Sequence, residues 1–177
     1  MDIKATDVKA LRDKTGAGMM DCKNALVEAN GNMAEAEKIL KEKGLAAMAK
    51  RADRATAEGR IFVRNVENKI YVIELTCETD FVSNGADFVA LGEKLLDVTI
   101  EKGLTAVEQV HKDLLTEFTI KTRENMSVNS VNVYEIPENG VGSTYVHSDH
   151  KTGAVVLIKG SNADVVKQFA YDCCLHI

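Results

Sequence analysis

The 177-residue sequence is long enough for one compact domain or two small ones, and its 45% hydrophobic and 28% charged residues are typical of a globular protein. A net charge of −5, 5% aromatic residues and no Trp argue against a direct nucleic-acid binder. No apolar run has the length of a membrane span, no signal peptide is evident, and four cysteines without a CxxC pair indicate reduced thiols in the cytoplasm.

Charge is distributed unevenly along the chain. Residues 1–57 carry 11 Lys and Arg against 9 Asp and Glu, whereas residues 58–177 carry 11 against 18. This asymmetry predicts two modules with different surfaces.

The first 44 residues predict three short helices, because apolar residues recur at helical spacing between glycine and cap signals. The predicted helices run from a Thr6 cap to Thr15, from Met19 to Asn30 and from an Asn32 cap to Gly44. Their predicted core stripes contain Val8, Leu11, Met19, Cys22, Leu26, Ala29, Met33, Ala36, Ile39 and Leu40. Residues 45–57 are rich in Ala, Lys and Arg and predict a basic linker.

Residues 58–177 predict an α+β core domain in which an antiparallel sheet is covered by helices on one face. Apolar residues first alternate with period two on either side of Glu67–Asn68, which predicts a β-hairpin. The later predicted elements are helices 87–103, 105–115 and 116–123, strands 127–136, 142–147 and 154–159, and a final helix capped by Asn162.

The final helix carries an apolar face, predicted from Val165, Val166, Phe169 and Cys173, that continues to the last residue, Ile177. Its end has no Gly and no polar cap. We expect a chain cut within a helix that packs against further protein; the alternative is a natural terminus docked on the core.

The segment Thr79-Asp80-Phe81-Val82 follows a buried-strand run and precedes turn and cap residues. Phe81 is therefore predicted at a strand-to-helix tip, where an exposed aromatic is typical of a binding hot spot. The alternative is that Phe81 and Val82 are the first core residues under the next helix.

Motifs for catalysis, cofactors and metals are not evident. The chain has no phosphate-binding glycine loop at a strand–helix junction and no GxSxG. His147 and His150 lie in a turn, and adjacent Cys173 and Cys174 point about 100° apart on a helix, which disfavours a shared zinc ion. No enzymatic, cofactor or metal site is predicted.

A second candidate binding patch lies at the start of the second helix. Met20 falls outside the core stripe, and a flexible exposed methionine there suits an adaptable docking surface with Arg12 as a polar neighbour. The alternative is that Met20 is half-buried under the linker.

Two long motifs carry a family resemblance. Residues 11–23 (LRDKTGAGMMDCK) and 75–82 (LTCETDFV) resemble the two signatures of the bacterial elongation factor Ts family, and Tyr145-Val146-His147 also matches. The resemblance covers essentially the whole chain. It is to the long bacterial form, which continues well past residue 177.

The resemblance implies a cytoplasmic, non-enzymatic guanine nucleotide exchange factor for elongation factor Tu in its GDP-bound form, with dimerisation in the full-length protein. It implies that a ubiquitin-associated-like module docks on the partner's G domain through Arg12, Met19 and Met20. Residues 79–82 would reach towards the partner's magnesium site, and His147 matches a core contact, although the loop after it is longer than usual. A general protein-interaction module and an RNA-binding translation protein are the alternatives.

Overall fold

The chain begins with three helices that pack on one another. The structure, a computed structural model, describes residues 3–177. In it α1 spans Ala5–Thr15, α2 spans Met19–Glu28 and α3 spans Met33–Ala49. Together with Leu115–Asn125 they form one of two compact units, called here the helical unit. The other, the sheet unit, comprises Thr56–Leu114 and Met126–Ile177.

The ends of these helices follow most of the predicted signals. Gly16 has a left-handed φ of 68° and ends α1, and the Asn32 side chain accepts the Glu35 backbone N–H at 3.2 Å at the start of α3. The predicted Thr6 cap is wrong, because Lys4 occupies the N-cap position and makes no side-chain cap.

The third helix continues five residues beyond the predicted stop at Gly44. A Cβ added at Gly44 would lie 2.4 Å from Cγ1 of Ile120. The glycine therefore permits close packing within the helical unit and does not mark a helix end.

The core of the helical unit is made of the buried apolar residues Val8, Leu11, Ala17, Cys22, Ala25, Leu26, Ala29, Ala36 and Leu40. Met33 and Ile39 are partly buried against it, as predicted. Met19 is not part of this core, because it is the first residue of α2 and projects outward with 46% of its surface exposed.

The sheet unit contains a three-stranded antiparallel sheet in the order β1-β2-β3. Strand β1 spans Glu58–Val66, β2 spans Lys69–Cys77 and β3 spans Met126–Glu135. The two-residue turn at Glu67–Asn68 pairs Val66 with Lys69, which confirms the predicted hairpin. A β-bulge between Glu74 and Leu75 shifts the register between β2 and β3.

Two helices follow β2 directly: α4, the single turn Asp80–Ser83, and α5, which spans Ala86–Lys102. Phe88, Leu91, Leu95 and Leu96 of α5 are buried. A Cβ on Gly92 would lie 2.0 Å from Cζ of Phe62, so the Phe62 ring of β1 packs directly against the α5 backbone. This contact holds α5 on the face of the sheet.

One helix, α6 (Gln109–Thr122), replaces the two segments predicted between 105 and 123. The predicted Thr105 cap is wrong. The side chain of buried His111 instead accepts the backbone N–H of Glu108 through Nδ1 at 2.9 Å. This bond satisfies a free N–H just before the helix begins.

A second sheet pairs β4 (Gly140–Val146) with β5 (Gly153–Lys159), and α7 (Asp164–His176) packs against both strands. The N-cap of α7 is Ala163, so the predicted Asn162 cap is wrong. The predicted apolar face is also misplaced. Phe169 is 60% exposed, whereas Ala170 and Cys174 are buried.

The architecture is α+β, as predicted, with three N-terminal helices followed by antiparallel strands and helices packed against them. The strands form two sheets, one of three strands and one of two. Among residues 3–177, no helix combines the length and the apolar character needed to cross a bilayer.

Candidate partner-binding site

The segment after β2 forms a one-turn helix because its first residue caps it. The Thr79 side chain accepts the backbone N–H of Val82 at 3.4 Å, and the Ser83 hydroxyl donates to the Asp80 carbonyl at 3.1 Å. The Cys77 thiol contacts the Thr79 carbonyl at 3.2 Å. The change from strand to helix at Thr79 is thus fixed by local side-chain bonds.

The Phe81 side chain is 86% exposed, which contradicts the alternative that it begins the core. Ser83 is the residue of α4 that turns inward, with 2% exposure, and Val82 is half-buried beside it. Asp80 is exposed next to the ring. A large apolar side chain and a carboxylate are therefore presented together on the outer side of α4.

Arg60 of β1 holds the other end of this helix. Its Nε donates to the Ser83 carbonyl at 2.7 Å, and its Nη2 donates to the Asn84 side-chain oxygen at 2.8 Å. A helix C-terminus carries partial negative charge on its free carbonyls, so a guanidinium stabilises it. The short helix is fixed at both ends.

The turn between β4 and β5 carries His147, which is exposed. Asp149 organises the turn by accepting the backbone N–H groups of Lys151 at 2.8 Å and Thr152 at 3.3 Å. These bonds, the Lys151 bond above all, lower the pKa of the Asp149 carboxyl. Nδ1 of His147 lies 3.3 Å from an Asp149 carboxylate oxygen.

This turn also contacts the beginning of β1. The Ile61 backbone N–H donates to the His150 carbonyl at 2.8 Å, and Lys151 forms an ion pair with Glu58. The Glu58 carboxylate raises the pKa of Lys151. Residues 58–61 of β1 thus hold two exposed segments of the sheet unit, α4 and the His147 turn.

In the helical unit, Arg12, Met19 and Met20 are all exposed, with 64% exposure at Met20. Met20 is therefore not half-buried under the linker. Helices α1 and α2 are joined by a tight connection in which the Thr15 hydroxyl accepts the Ala17 backbone N–H at 3.3 Å. The exposed methionines begin α2 directly after this connection.

Sequence reasoning missed Arg60, Glu58 and Lys151. Each acts on a residue more than twenty positions away, and no local pattern identifies the partner. One sequence signal for Arg60 was available: it lies at every-second-residue spacing with Phe62 and Arg64, which places all three on one face of β1. Within residues 3–177, no group of three or more His, Cys, Asp or Glu side chains is arranged to hold a metal ion.

An exposed aromatic ring on a one-turn helix fixed at both ends is the kind of side chain that binding hot spots use. A sequence model of the family described as "Elongation factor TS" matches residues 78–177. The chain belongs to the elongation factor Ts family.

Curated relatives match nearly the whole of this chain. The elongation factor Ts of Treponema denticola is 48% identical over 99% of this chain and 65% of its own length. That of Treponema pallidum is 46% identical over 99% and 66%, and that of Clostridium perfringens is 37% identical over 99% and 62%. The chain therefore spans somewhat less than two thirds of the length of these relatives.

Proposed function

We propose that this chain is a guanine nucleotide exchange factor for elongation factor Tu. It binds the GDP-bound GTPase, disturbs the magnesium and phosphate site and promotes release of GDP, so that GTP can bind. The single observation that carries the proposal is the 86% exposure of Phe81 on a one-turn helix, in a chain of the elongation factor Ts family.

The physical basis is the geometry that Mg²⁺ demands. GDP is held by backbone donors around its phosphates and by Mg²⁺, which requires near-ideal octahedral oxygen coordination. Insertion of Phe81 into an apolar slot of the partner supplies a driving force on the order of 2 kcal/mol. Asp80 brings a carboxylate that alters the charge balance beside the metal. No covalent chemistry is required.

The remaining predicted contacts have separate roles in this proposal. Arg12, Met19 and Met20 dock the three-helix module on the partner's G domain, and His147 contributes a core contact. Thr79 and Val82 complete the motif, and their mutual hydrogen bond supports the turn that carries Phe81. Docking gives affinity, and the Phe81 turn accelerates release of the nucleotide.

Release of a fluorescent GDP analogue from elongation factor Tu, followed by stopped flow, tests the proposal. We expect the wild-type chain to accelerate release and Phe81→Ala to lower the maximal rate about thirtyfold, because loss of a hot-spot aromatic costs about 2 kcal/mol or more. Tyr134→Ala, which removes another exposed aromatic of the sheet unit, is the control and should release GDP at the wild-type rate.

The same experiment distinguishes exchange from passive binding. A general interaction module binds elongation factor Tu and leaves the GDP off-rate unchanged. An unaltered off-rate with wild-type protein at saturation contradicts the proposed function. An accelerated rate that Phe81→Ala does not reduce removes Phe81 from the mechanism.

The proposal extends to dimerisation of the full-length protein, which the family resemblance implies. Light scattering of the full-length protein gives the mass directly. A mass of one chain at micromolar concentration contradicts this part of the proposal and leaves the exchange function intact.

A further inference from the structure

A helix of one turn does not stabilise itself. Helix α4 has four residues, Asp80–Ser83, and nucleation of a first turn is unfavourable without outside support. The direction of Phe81 therefore depends on the groups that hold the turn. At the N-terminal end this is Thr79, which belongs to the same segment.

At the C-terminal end the support comes from a different element. Arg60 lies in β1, paired opposite Leu75 of β2. Its two hydrogen bonds, 2.7 Å to the Ser83 carbonyl and 2.8 Å to the Asn84 side chain, join consecutive residues. Because a guanidinium is planar and rigid, two bonds from it fix both the position and the rotation of the end of α4.

We propose that Arg60 is a positioning residue for nucleotide exchange, which sets the direction of the Phe81 ring by holding the C-terminal end of α4. This inference rests on the proposed function. Arg60 itself does not touch the nucleotide; it acts through Phe81. A lysine is not equivalent, because an ammonium group is a point charge and does not reproduce the two directed hydrogen bonds of a planar guanidinium.

The chain supplies a matched control in Arg64. It lies four residues further along β1 on the same face, and its guanidinium bonds Glu93 and Asp97 of α5. Arg60 and Arg64 thus have the same chemistry on the same strand, but only Arg60 bonds α4. Loss of Arg64 removes a strand-to-helix bridge without freeing Phe81.

The first test is the maximal rate of GDP release at saturating factor. We expect Arg60→Ala to lower this rate about tenfold, the loss associated with hydrogen bonds to a charged group, and Arg60→Lys to restore only part of it. Arg64→Ala should remain within about twofold of wild type, since an exposed ion pair contributes little. The concentration of this chain that gives half of the maximal release rate should change little for all three variants, because docking through the helical unit is intact.

A double-mutant cycle with Phe81→Ala separates positioning from a general loss of stability. If Arg60 acts through the ring, Arg60→Ala causes no further loss once the ring is absent. A further tenfold loss in the Phe81→Ala background overturns the proposal. Asn84→Ala, which removes one of the two bonds, should show an intermediate effect; it replaces Arg60→Ala in the cycle if that variant fails to fold by circular dichroism.

The second test needs no partner. With 4-fluorophenylalanine in place of the five phenylalanines, the signal missing from Phe81→Ala identifies the ring in the fluorine NMR spectrum. We expect this signal to shift in Arg60→Ala or Asn84→Ala and to stay in place in Arg64→Ala. An unmoved signal overturns the positioning role. If the wild-type chain fails to accelerate GDP release, the proposed function fails, and this spectrum still decides how Arg60 acts on Phe81.

Discussion

Phe81 is exposed because of where the turn places its neighbours. Successive helical residues are about 100° apart, so Ser83 and Phe81 lie on nearly opposite sides of α4. The inward position goes to Ser83, a small residue whose hydroxyl bonds the Asp80 carbonyl. Sequence reasoning left both orientations open, because four residues are too few for an apolar period to show which face is buried.

Met20 is predicted to be the residue at which a new charge most weakens docking of the helical unit. Glutamate at this 64% exposed position would introduce a charge that must lose its hydration in an apolar contact. We expect Met20→Glu to raise the dissociation constant for elongation factor Tu about tenfold or more.

Isothermal titration calorimetry with GDP-bound elongation factor Tu measures this effect. Ala10→Glu, which adds the same charge at an exposed position of α1, is the control and should bind with wild-type affinity. Equal affinity of Met20→Glu and wild type would remove Met20 from the interface.

His111 is predicted to make stability depend on pH. The Thr99 hydroxyl donates to the Leu95 carbonyl at 2.7 Å, so it accepts from Nε2 of His111 at 2.9 Å, while Nδ1 accepts the Glu108 N–H. These bonds require the neutral ring, and burial lowers the pKa of His111. The unfolded chain then binds more protons below about pH 6.5, and stability falls as pH decreases through that region.

Urea unfolding of wild type and His111→Gln between pH 5.5 and 8 measures this dependence, since these values lie on either side of the usual histidine pKa. We expect the variant to be less stable than wild type at pH 8 but to lose less stability on acidification. Parallel curves for the two proteins would exclude His111 as the source.

At the scale of elements, α5 packs closely against β1 because Gly92 has no side chain to keep the Phe62 ring away. We expect Gly92→Ala to destabilise the chain by about 1–3 kcal/mol, because the added methyl overlaps the Phe62 ring. Thermal and urea unfolding measure the loss. Lys94→Ala on the exposed face of α5 is the control, and Phe62→Leu combined with Gly92→Ala should recover part of the lost stability.

Helix α7 shows why an apolar stripe can be assigned to the wrong face. Val165, Phe169 and Cys173 are spaced by four residues, and so are Val166, Ala170 and Cys174. The structure buries Ala170 and Cys174 of the second set and leaves Val166 half-buried, so the inward face lies one position along, or about 100° around the helix. Small residues at 170 and 174 allow close approach to β4 and β5. Hydrophobicity alone favours the larger Phe169, whereas packing distance decides the orientation.

The β1–β2 hairpin and the caps at Gly16 and Asn32 could be predicted because their signals are local. A two-residue turn fixes the β1–β2 register locally, and the Gly16 and Asn32 signals act within one turn of helix. The stop predicted at Gly44 failed because that glycine faces Ile120, 76 positions away in the sequence. Contacts over such distances have no local sequence pattern.

At the scale of the whole molecule, α6 begins in the sheet unit and ends in the helical unit. A division made along the chain misses this arrangement, because Leu115–Asn125 follows residues of the sheet unit in sequence and includes the second part of the continuous helix α6. The charge asymmetry between the two parts of the sequence indicates two surfaces. It carries no information about which later segment belongs to the same compact unit as the N-terminal helices.

Thermodynamic linkage gives the prediction that belongs to the intact chain. If the chain lowers the affinity of elongation factor Tu for GDP by some factor, GDP lowers the affinity of elongation factor Tu for the chain by the same factor. Calorimetric titrations of the chain into nucleotide-free and GDP-bound elongation factor Tu, and of GDP with and without the chain, give both factors. A GDP affinity that the chain does not change would contradict exchange by mutual displacement.

The four cysteine thiols give this protein a built-in set of reporters for local opening. Cys22 in α2, Cys77 in β2 and Cys174 in α7 are buried, while Cys173 is half-exposed. Burial also raises the pKa of Cys22, which reduces its reactive thiolate fraction. An alkylating reagent should therefore modify Cys173 first. The slower modification rates of Cys22, Cys77 and Cys174 should report the rates of local opening of the helical core, the three-stranded sheet and helix α7 respectively.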